Sequence, residues 1–315
     1  MGYLTLKNLI KEYYLSFEFK SLRDETKQQY QYFLSVLLDT MLPDQDKKLG
    51  NITINNITTL MAKHAYNDWC NRGVHLANHV MSVARVVFNY GINMEKIGQN
   101  PFSNVKKRTP DVRKKVWTKE HVTNFLDVAY SDFNTRSIGL IAHMAYDWCQ
   151  RLGDMRLLQW SNLDLSEQRM HIEQSKRRAE VFLPISDGLG EMLVQQKKDF
   201  GFQPYVAPRV RPVGGKYMPY SLYRLPRVAR KVMRDANIPD ELRLSDLRRT
   251  GTVEMVDAGV SMGNIMSVTG HANPQSVKPY MKNTFTSANL ALQARRNLTD
   301  QKMCGKSILN ADKEG

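Results

Sequence analysis

Four short stretches hold side chains able to grip an anion or move a proton. "CQRLGDMRLL" carries Arg151 with Asp154 three residues on, and "IEQSKRRAEVFLPIS" carries Lys176 followed by Arg177 and Arg178. "RLSDLRRTG" sets Arg243, Arg248 and Arg249 around Ser245 and Asp246, and "VTGHANPQSVKPYMK" places His271 nine residues before Tyr280. A guanidinium is planar, always charged and forked, which suits it to the oxygens of a phosphate or a carboxylate. Each residue also has a plainer reading. Arg151 pairs with Asp154 one helical turn on, His271 ends a helix where the dipole favours it, Lys176 lies in a solvated turn, and Tyr280 is a half-buried core aromatic. The order and spacing of the whole set decide between the two kinds of reading.

The elements that must position these residues are mostly helices. Residues 3 to about 104 carry apolar side chains at three- and four-residue spacing, without sustained alternation, and are expected to be helical throughout. Leu6, Leu9, Ile10, Tyr13 and Tyr14 form one stripe, and Tyr30, Phe33, Leu34, Leu37 and Leu38 form a second. Asn and Thr caps precede a third helix in "NITINNITTLMAKHAYNDWC", and Val80, Val83, Ala84, Val87 and Phe88 mark the face of a fourth. "GQNPF" stops the bundle, and "VKKRTPDVRKKVW" follows with Lys106, Lys107, Arg108, Arg113, Lys114 and Lys115 against the single Asp111. Beyond it, Thr118 with Glu120 and His121 predicts a capped helix to about Ala129, and "SIGLIAHMAYDWC" predicts another. "MHIEQS" and "RAEVFLPIS" read as short strands about a charged turn, and "PYSLYRLPRVARKVMRDANIP" and "SDLRRTGTVEMVDAGV" as further helices. The fold class is therefore mainly α with a small β-sheet. It divides into a helical bundle over 1–105, a basic linker over 106–116, a mixed domain over 117–285 and a tail over 286–315.

Composition narrows the partners. A chain of 315 residues with 42% apolar and 24% charged residues can bury real cores, and its length favours two domains. Forty-five Lys and Arg against 31 Asp and Glu leave a formal charge of +14, which favours nucleic acid or an anionic membrane surface. No run approaches the roughly 18 apolar residues of a membrane span. The opening "MGYLTLKNLIKEYY" carries Lys and Glu where a signal peptide is apolar, so a soluble intracellular protein is expected. Cys70, Cys149 and Cys304 are too far apart for a disulfide framework or a zinc module and read as reduced thiols. No carboxylate cluster stands beside the basic motifs, which argues against a metal-dependent nuclease.

Taken together, the four stretches resemble, in order and spacing, the catalytic domain of the tyrosine recombinases, the phage integrase family. The first hundred residues, ending in "GQNPFSNVKKR", resemble that family's helical, SAM-like core-binding domain. The resemblance implies a site-specific DNA recombinase of a phage or mobile element. Such an enzyme works through a 3′-phosphotyrosyl intermediate and a Holliday junction, with no cofactor, metal or ATP. It implies Tyr280 as the nucleophile, Arg151 and Arg248 as the arginines of the site, and Lys176 as the general acid for the leaving oxygen. His271 is then a contact to the scissile phosphate, and Asp154 the residue that orients the cluster. The chemistry fits these roles. Charge developing on the non-bridging oxygens is met by fixed forks, and a phenol with a reference pKa of about 10 needs a base or cationic surroundings to attack.

One position departs from the family. Ser245 stands where a histidine is usual, three residues before Arg248, and a hydroxyl does not titrate near neutrality. The proton acceptor is left open between water, His271 and a weakened site. Arg249 is expected to contact DNA phosphate or solvent, and the six linker cations with Arg177 and Arg178 to bind DNA. The implied partners are double-stranded DNA attachment sites, a homotetramer on DNA and accessory DNA-bending or directionality factors, in a bacterial host cytoplasm with no membrane. A tail amphipathic through Leu290, Leu292 and Leu298 is expected to pack on a neighbouring protomer, and no arm-type DNA-binding domain is expected before residue 3. Two rivals stay open: a chromosome-dimer resolvase of the Xer type, and a DNA-binding regulator of the same fold with weakened catalysis.

Overall fold

The computed structural model describes residues 4–42, 45–111, 113–176 and 178–280, with positions 288, 289, 292, 293, 295 and 296 beyond them. Internal packing separates a unit ending at Arg113 from a unit beginning at Lys114. The break falls inside the basic segment. Arg177, Cys304, Leu290 and Leu298 lie outside the described residues, as does the tail apart from those six positions. No helix of the described residues is long and apolar enough to cross a membrane.

The first unit is built on α1 (Leu6–Leu15), α2 (Phe17–Lys20), α3 (Asp24–Asp39), α4 (Thr59–Arg72) and α5 (Val74–Asn93). Thr5 opens α1 by accepting from the Asn8 N–H at 3.3 Å, and Thr58 opens α4 by accepting from the Met61 N–H at 3.2 Å. The stripe of α5 is buried as its spacing predicts, with Val80, Ala84, Val87 and Phe88 out of solvent entirely. Phe88 and Phe102 meet with ring centroids 5.2 Å apart, and Trp69 stacks over Phe102 at 6.3 Å. Full burial of one phenylalanine contributes roughly 1.5–3 kcal/mol, so this aromatic knot is a substantial part of the unit's apolar core.

Helices do not account for the whole unit. Between α3 and α4, β1 (Met41–Leu42) and β2 (Gln45–Lys48) form an antiparallel ribbon. The all-helical expectation for residues 3 to 104 fails here for a physical reason. β1 has two residues, and β2 reads Gln-Asp-Lys-Lys, so neither shows the apolar alternation that marks a half-buried strand. The basic segment also begins as part of this unit. Tyr66 Oη accepts from the Arg108 N–H at 2.6 Å and donates to Asn78 Oδ1 at 2.7 Å, Asn78 Nδ2 donates to the Arg108 carbonyl at 2.8 Å, and Lys107 Nζ donates to Ser82 Oγ. Arg85 fastens the preceding stretch by donating to the carbonyls of Phe102, Ser103 and Val105.

The second unit holds α6 (Lys119–Ser131), α7 (Phe133–Asp147), α8 (Leu152–Met155), α9 (Asp187–Phe200), α10 (Arg224–Asp235), α11 (Leu247–Asp257) and α12 (Met262–Thr269). Thr118 caps α6 through the His121 N–H at 3.1 Å, as the spacing predicts. One antiparallel sheet runs in the order β3 (Leu163–Asp164), β4 (Arg169–Glu173), β5 (Glu180–Pro184). Its register pairs Met170 with Leu183 and Ile172 with Val181, and these four residues face the core. α11 lies against the end of α7 at glycine distance: a Cβ on Gly251 would come within 2.6 Å of the Tyr146 carbonyl oxygen and 2.7 Å of Cys149 Sγ. Trp117 locks the unit's entry, its N–H donating to Thr250 Oγ1 at 2.9 Å and its Nε1 to the Arg243 carbonyl at 3.1 Å. Lys115 meets Glu241 at 3.6 Å, so the far end of the basic segment packs on this unit.

Candidate active site

Arg151 owes its position to the way α7 ends. Trp148 is buried and donates from Nε1 to the Pro184 carbonyl at 2.9 Å. Cys149 then turns the chain with a left-handed φ of 51°, an uncommon conformation for a residue other than glycine. That turn sends Gln150 inward and leaves Arg151 at the N-cap of α8. Arg151 Nη1 donates to Gln174 Oε1 at 2.8 Å and stands 3.8 Å from Asp154 Oδ2. The other carboxylate oxygen, Asp154 Oδ1, accepts from the N–H and the hydroxyl of Ser175 at 3.2 and 2.5 Å. The pairing of Arg151 with Asp154 is therefore present, and it is one part of a larger arrangement.

Arg248 lies in the first turn of α11, with Leu247 buried beside it. Its Nη2 donates to the Thr269 carbonyl at 2.8 Å and faces His271 Nε2 at 3.2 Å. The histidine tautomer follows from its neighbours. Thr269 Oγ1 spends its proton on the Ile265 carbonyl at 2.7 Å, so it accepts from His271 Nδ1–H at 2.8 Å, and Nε2 turns its lone pair to Arg248. Arg248 Nη1 is buried without a hydrogen-bond partner, and so is Asp154 Oδ2. Burial, and then the charge of Arg151, lower the Arg248 pKa to about 10, which leaves it charged at neutral pH. A buried donor facing a like-charged neighbour is a costly arrangement that an anion would relieve.

α12 ends at Gly270, whose φ of 66° directs the chain back so that His271 is buried next to Arg248. Nine residues on, the 3₁₀ turn Lys278–Tyr280 carries the phenol, anchored by the buried Val277, whose carbonyl accepts from the Tyr280 N–H at 2.9 Å. The Tyr280 ring is half-buried, with its centroid 6.1 Å from that of His271. The Arg249 guanidinium lies 4.8 Å from the centre of the same ring. Arg249 was expected to meet DNA phosphate or solvent, and its neighbour within the protein is this aromatic face. Burial pushes the Cys149 thiol up to about 12 and raises the phenols of Tyr130 and Tyr146.

The remaining candidates lie further out. Lys176 is exposed in the turn between β4 and β5, two residues after Gln174, and makes no hydrogen bond or ion pair among the described residues. Arg178, also in that turn, stands 3.6 Å from Glu173. Ser245 is exposed in the 3₁₀ turn ahead of α11, and its hydroxyl makes no hydrogen bond among the described residues. Asp246 Oδ2 accepts from the Arg243 N–H at 2.9 Å. Lys106 and Arg108 line a cleft on the first unit with Lys63, Tyr66 and Asn67, and Arg113 and Lys114 flank the break between the units. The residues that sequence reasoning missed are Gln150, Gln174, Ser175 and Thr269. Glutamine carries no charge and no nucleophile, and nothing but nearness in sequence to Arg151 and Lys176 singled Gln150 and Gln174 out.

A mostly helical first unit, a mixed second unit and a cationic cluster beside a phenol are the arrangement expected of a tyrosine recombinase. The model of the phage integrase family matches residues 115–287, more than half of the chain, and the chain belongs to that family. No curated protein sequence matches it. Among solved structures it is similar to a lambda integrase (75–356) dimer bound to a COC′ core site, with a TM-score of 0.74 and 17% identity over 90% of this chain and 97% of that one. A lambda integrase tetramer bound to a Holliday junction gives a TM-score of 0.73 and 17% identity over 90% of this chain and 78% of that one. The Tn1549 transposon integrase in complex with a circular intermediate DNA gives 0.72 and 15% over 92% and 99%. At such identities the likeness is one of fold. With the family it makes this chain a site-specific tyrosine recombinase.

Proposed function

We propose that the pocket binds one DNA phosphodiester and that Tyr280 Oη attacks its phosphorus. The new bond is a 3′-phosphotyrosyl ester. The bond that breaks releases a 5′ hydroxyl, whose oxygen takes a proton from Lys176. Arg151 and Arg248 meet the charge on the non-bridging oxygens, Asp154 orients Arg151, and His271 contacts the phosphate. With Ser245 unable to titrate, the phenolic proton goes to water or to His271, which turns a lone pair at Nε2. The ester keeps the energy of the cut strand, so a second DNA hydroxyl rejoins it without ATP.

The observation that carries this reading is the buried, partnerless Arg248 Nη1 in a pocket that already holds a second guanidinium and a phenol. The solved relatives are bound to DNA core sites, to a circular DNA intermediate and, as a tetramer, to a Holliday junction. By analogy, this chain assembles as a tetramer on paired attachment sites of a phage or mobile element in a bacterial cytoplasm. Lys106, Lys107, Arg108, Arg113, Lys114, Lys115, Arg177 and Arg178 then supply the affinity for duplex phosphates. A suicide DNA nicked beside the cut site tests the chemistry. The expected result is an SDS-stable protein–DNA adduct that disappears in Tyr280→Phe; good binding with no adduct overturns the reading.

A further inference from the structure

Two glutamines fully excluded from solvent, Gln150 and Gln174, stand between the two halves of the pocket. Gln174 Oε1 accepts from Arg151 Nη1 at 2.8 Å, while Gln174 Nε2 donates to the Thr269 carbonyl at 2.9 Å and to Gln150 Oε1 at 2.6 Å. Gln150 Nε2 in turn donates to the carbonyls of Trp148 and Val268 at 2.8 and 2.7 Å. The orientation of both amides is fixed by their partners, because a guanidinium only donates and a carbonyl only accepts. The Thr269 carbonyl also accepts from Arg248 Nη2 at 2.8 Å. One unbroken line of hydrogen bonds therefore runs from Arg151 through Gln174 and a main-chain oxygen to Arg248 and His271. Gly270 makes room for it: a Cβ there would come within 2.5 Å of Gln174 Nε2.

We propose that Gln174, backed by Gln150, is a positioning residue that sets Arg151 against Arg248 without neutralising either. The proposal rests on the reading of the pocket as a phosphodiester site. A neutral amide is suited to this task where a carboxylate is not. A carboxylate at the same place would pair with Arg151 and compete with the phosphate, and it would leave the Thr269 carbonyl and Gln150 Oε1 facing a third acceptor. An apolar side chain of the same length would fill the space and release Arg151 from its register.

The test uses the full chain, a nicked suicide duplex under single-turnover conditions, and three variants. Gln174→Met is expected to form adduct about 10²-fold more slowly with unchanged DNA affinity, as displacing a reacting group by about an ångström does. Gln150→Met, one step further from the guanidinium, is expected to lose less. Gln174→Glu is expected to be slow at neutral pH and to recover relative to wild type as pH falls, when its protonated carboxyl regains a donor and loses its charge. A merely structural role would not produce that pH-dependent ratio. A folded Gln174→Met that reacts at the wild-type rate overturns the proposal, and so does a Gln174→Glu ratio that ignores pH. A wild-type protein that forms no Tyr280-dependent adduct removes the reading beneath it, a result distinct from a wild-type adduct matched by Gln174→Met.

Discussion

The two units bury different things. Among the described residues, the first unit hides only two polar side chains, Thr40 and Asn100, and the second hides eleven, from Arg136 to His271. Thr40 accepts from Trp69 Nε1 at 2.8 Å, and Asn100 accepts from the Phe102 N–H at 3.0 Å, so both serve the packing around the aromatic knot. In the second unit Gln196 and Asp199 receive Arg136, Gln174 receives Arg151 and Gln150 receives Gln174, so most of the buried polarity is paired. Two buried atoms at the site, Arg248 Nη1 and Asp154 Oδ2, have no hydrogen-bond partner. The contrast teaches that the first unit is held by apolar contact, while the second accepts an expensive interior in return for a preorganised anion site.

Three measurements can break or sharpen that contrast. The largest effect is expected for Phe88→Ala, which should cost about 3–5 kcal/mol through the cavity it leaves. Hydrogen exchange should show the loss in amides of α1 to α5 and spare those of α7 and α11. Equal loss in both units would mean that they unfold as one. Next comes Arg248→Leu. Adduct formation should fall by at least about 10²–10³-fold, the cost of removing one fixed donor to a developing oxyanion. Its melting temperature should stay level or rise, because a buried charge has been replaced by apolar volume; a marked fall would mean that Arg248 supports the fold. The smallest effect concerns His143, half-buried against Tyr130 Oη at 2.9 Å, whose pKa burial lowers from 6.5. The unfolded chain then binds a proton at 6.5 that the folded one resists, so the second unit loses stability as pH falls from 6.5 towards the lowered value. In His143→Gln that acid-side decline should flatten, as a pH series of thermal melts would show. The first unit buries no histidine among its described residues.

Much of this was legible in the sequence, and the gaps have physical causes. The Thr118 cap, the Val80 to Phe88 face and the strand pair around the charged turn were written in periodicity and capping chemistry, which act locally. The spacing of Arg151, Arg248, His271 and Tyr280 carried the pocket. The β1–β2 ribbon was invisible because a polar strand of four residues has no pattern to read. The contact of Arg249 with the Tyr280 ring was not legible because that ring is 31 positions away and the turn that delivers it is set by the burial of Val277. Gln150 and Gln174 were passed over because burial of an amide is decided by tertiary packing, and a neutral side chain gives no warning of it.

The Thr269 carbonyl has a consequence of its own. It is the acceptor that both halves of the pocket share, and it belongs to the main chain, so no codon change at that position can delete it. Substitutions there can remove only the hydroxyl. The spacing of the two cations is thus held in part by the backbone itself. An ester in place of the 269–270 amide weakens the carbonyl as an acceptor and alters no side chain, and it also removes the Gly270 N–H that donates to the Met266 carbonyl at 2.8 Å.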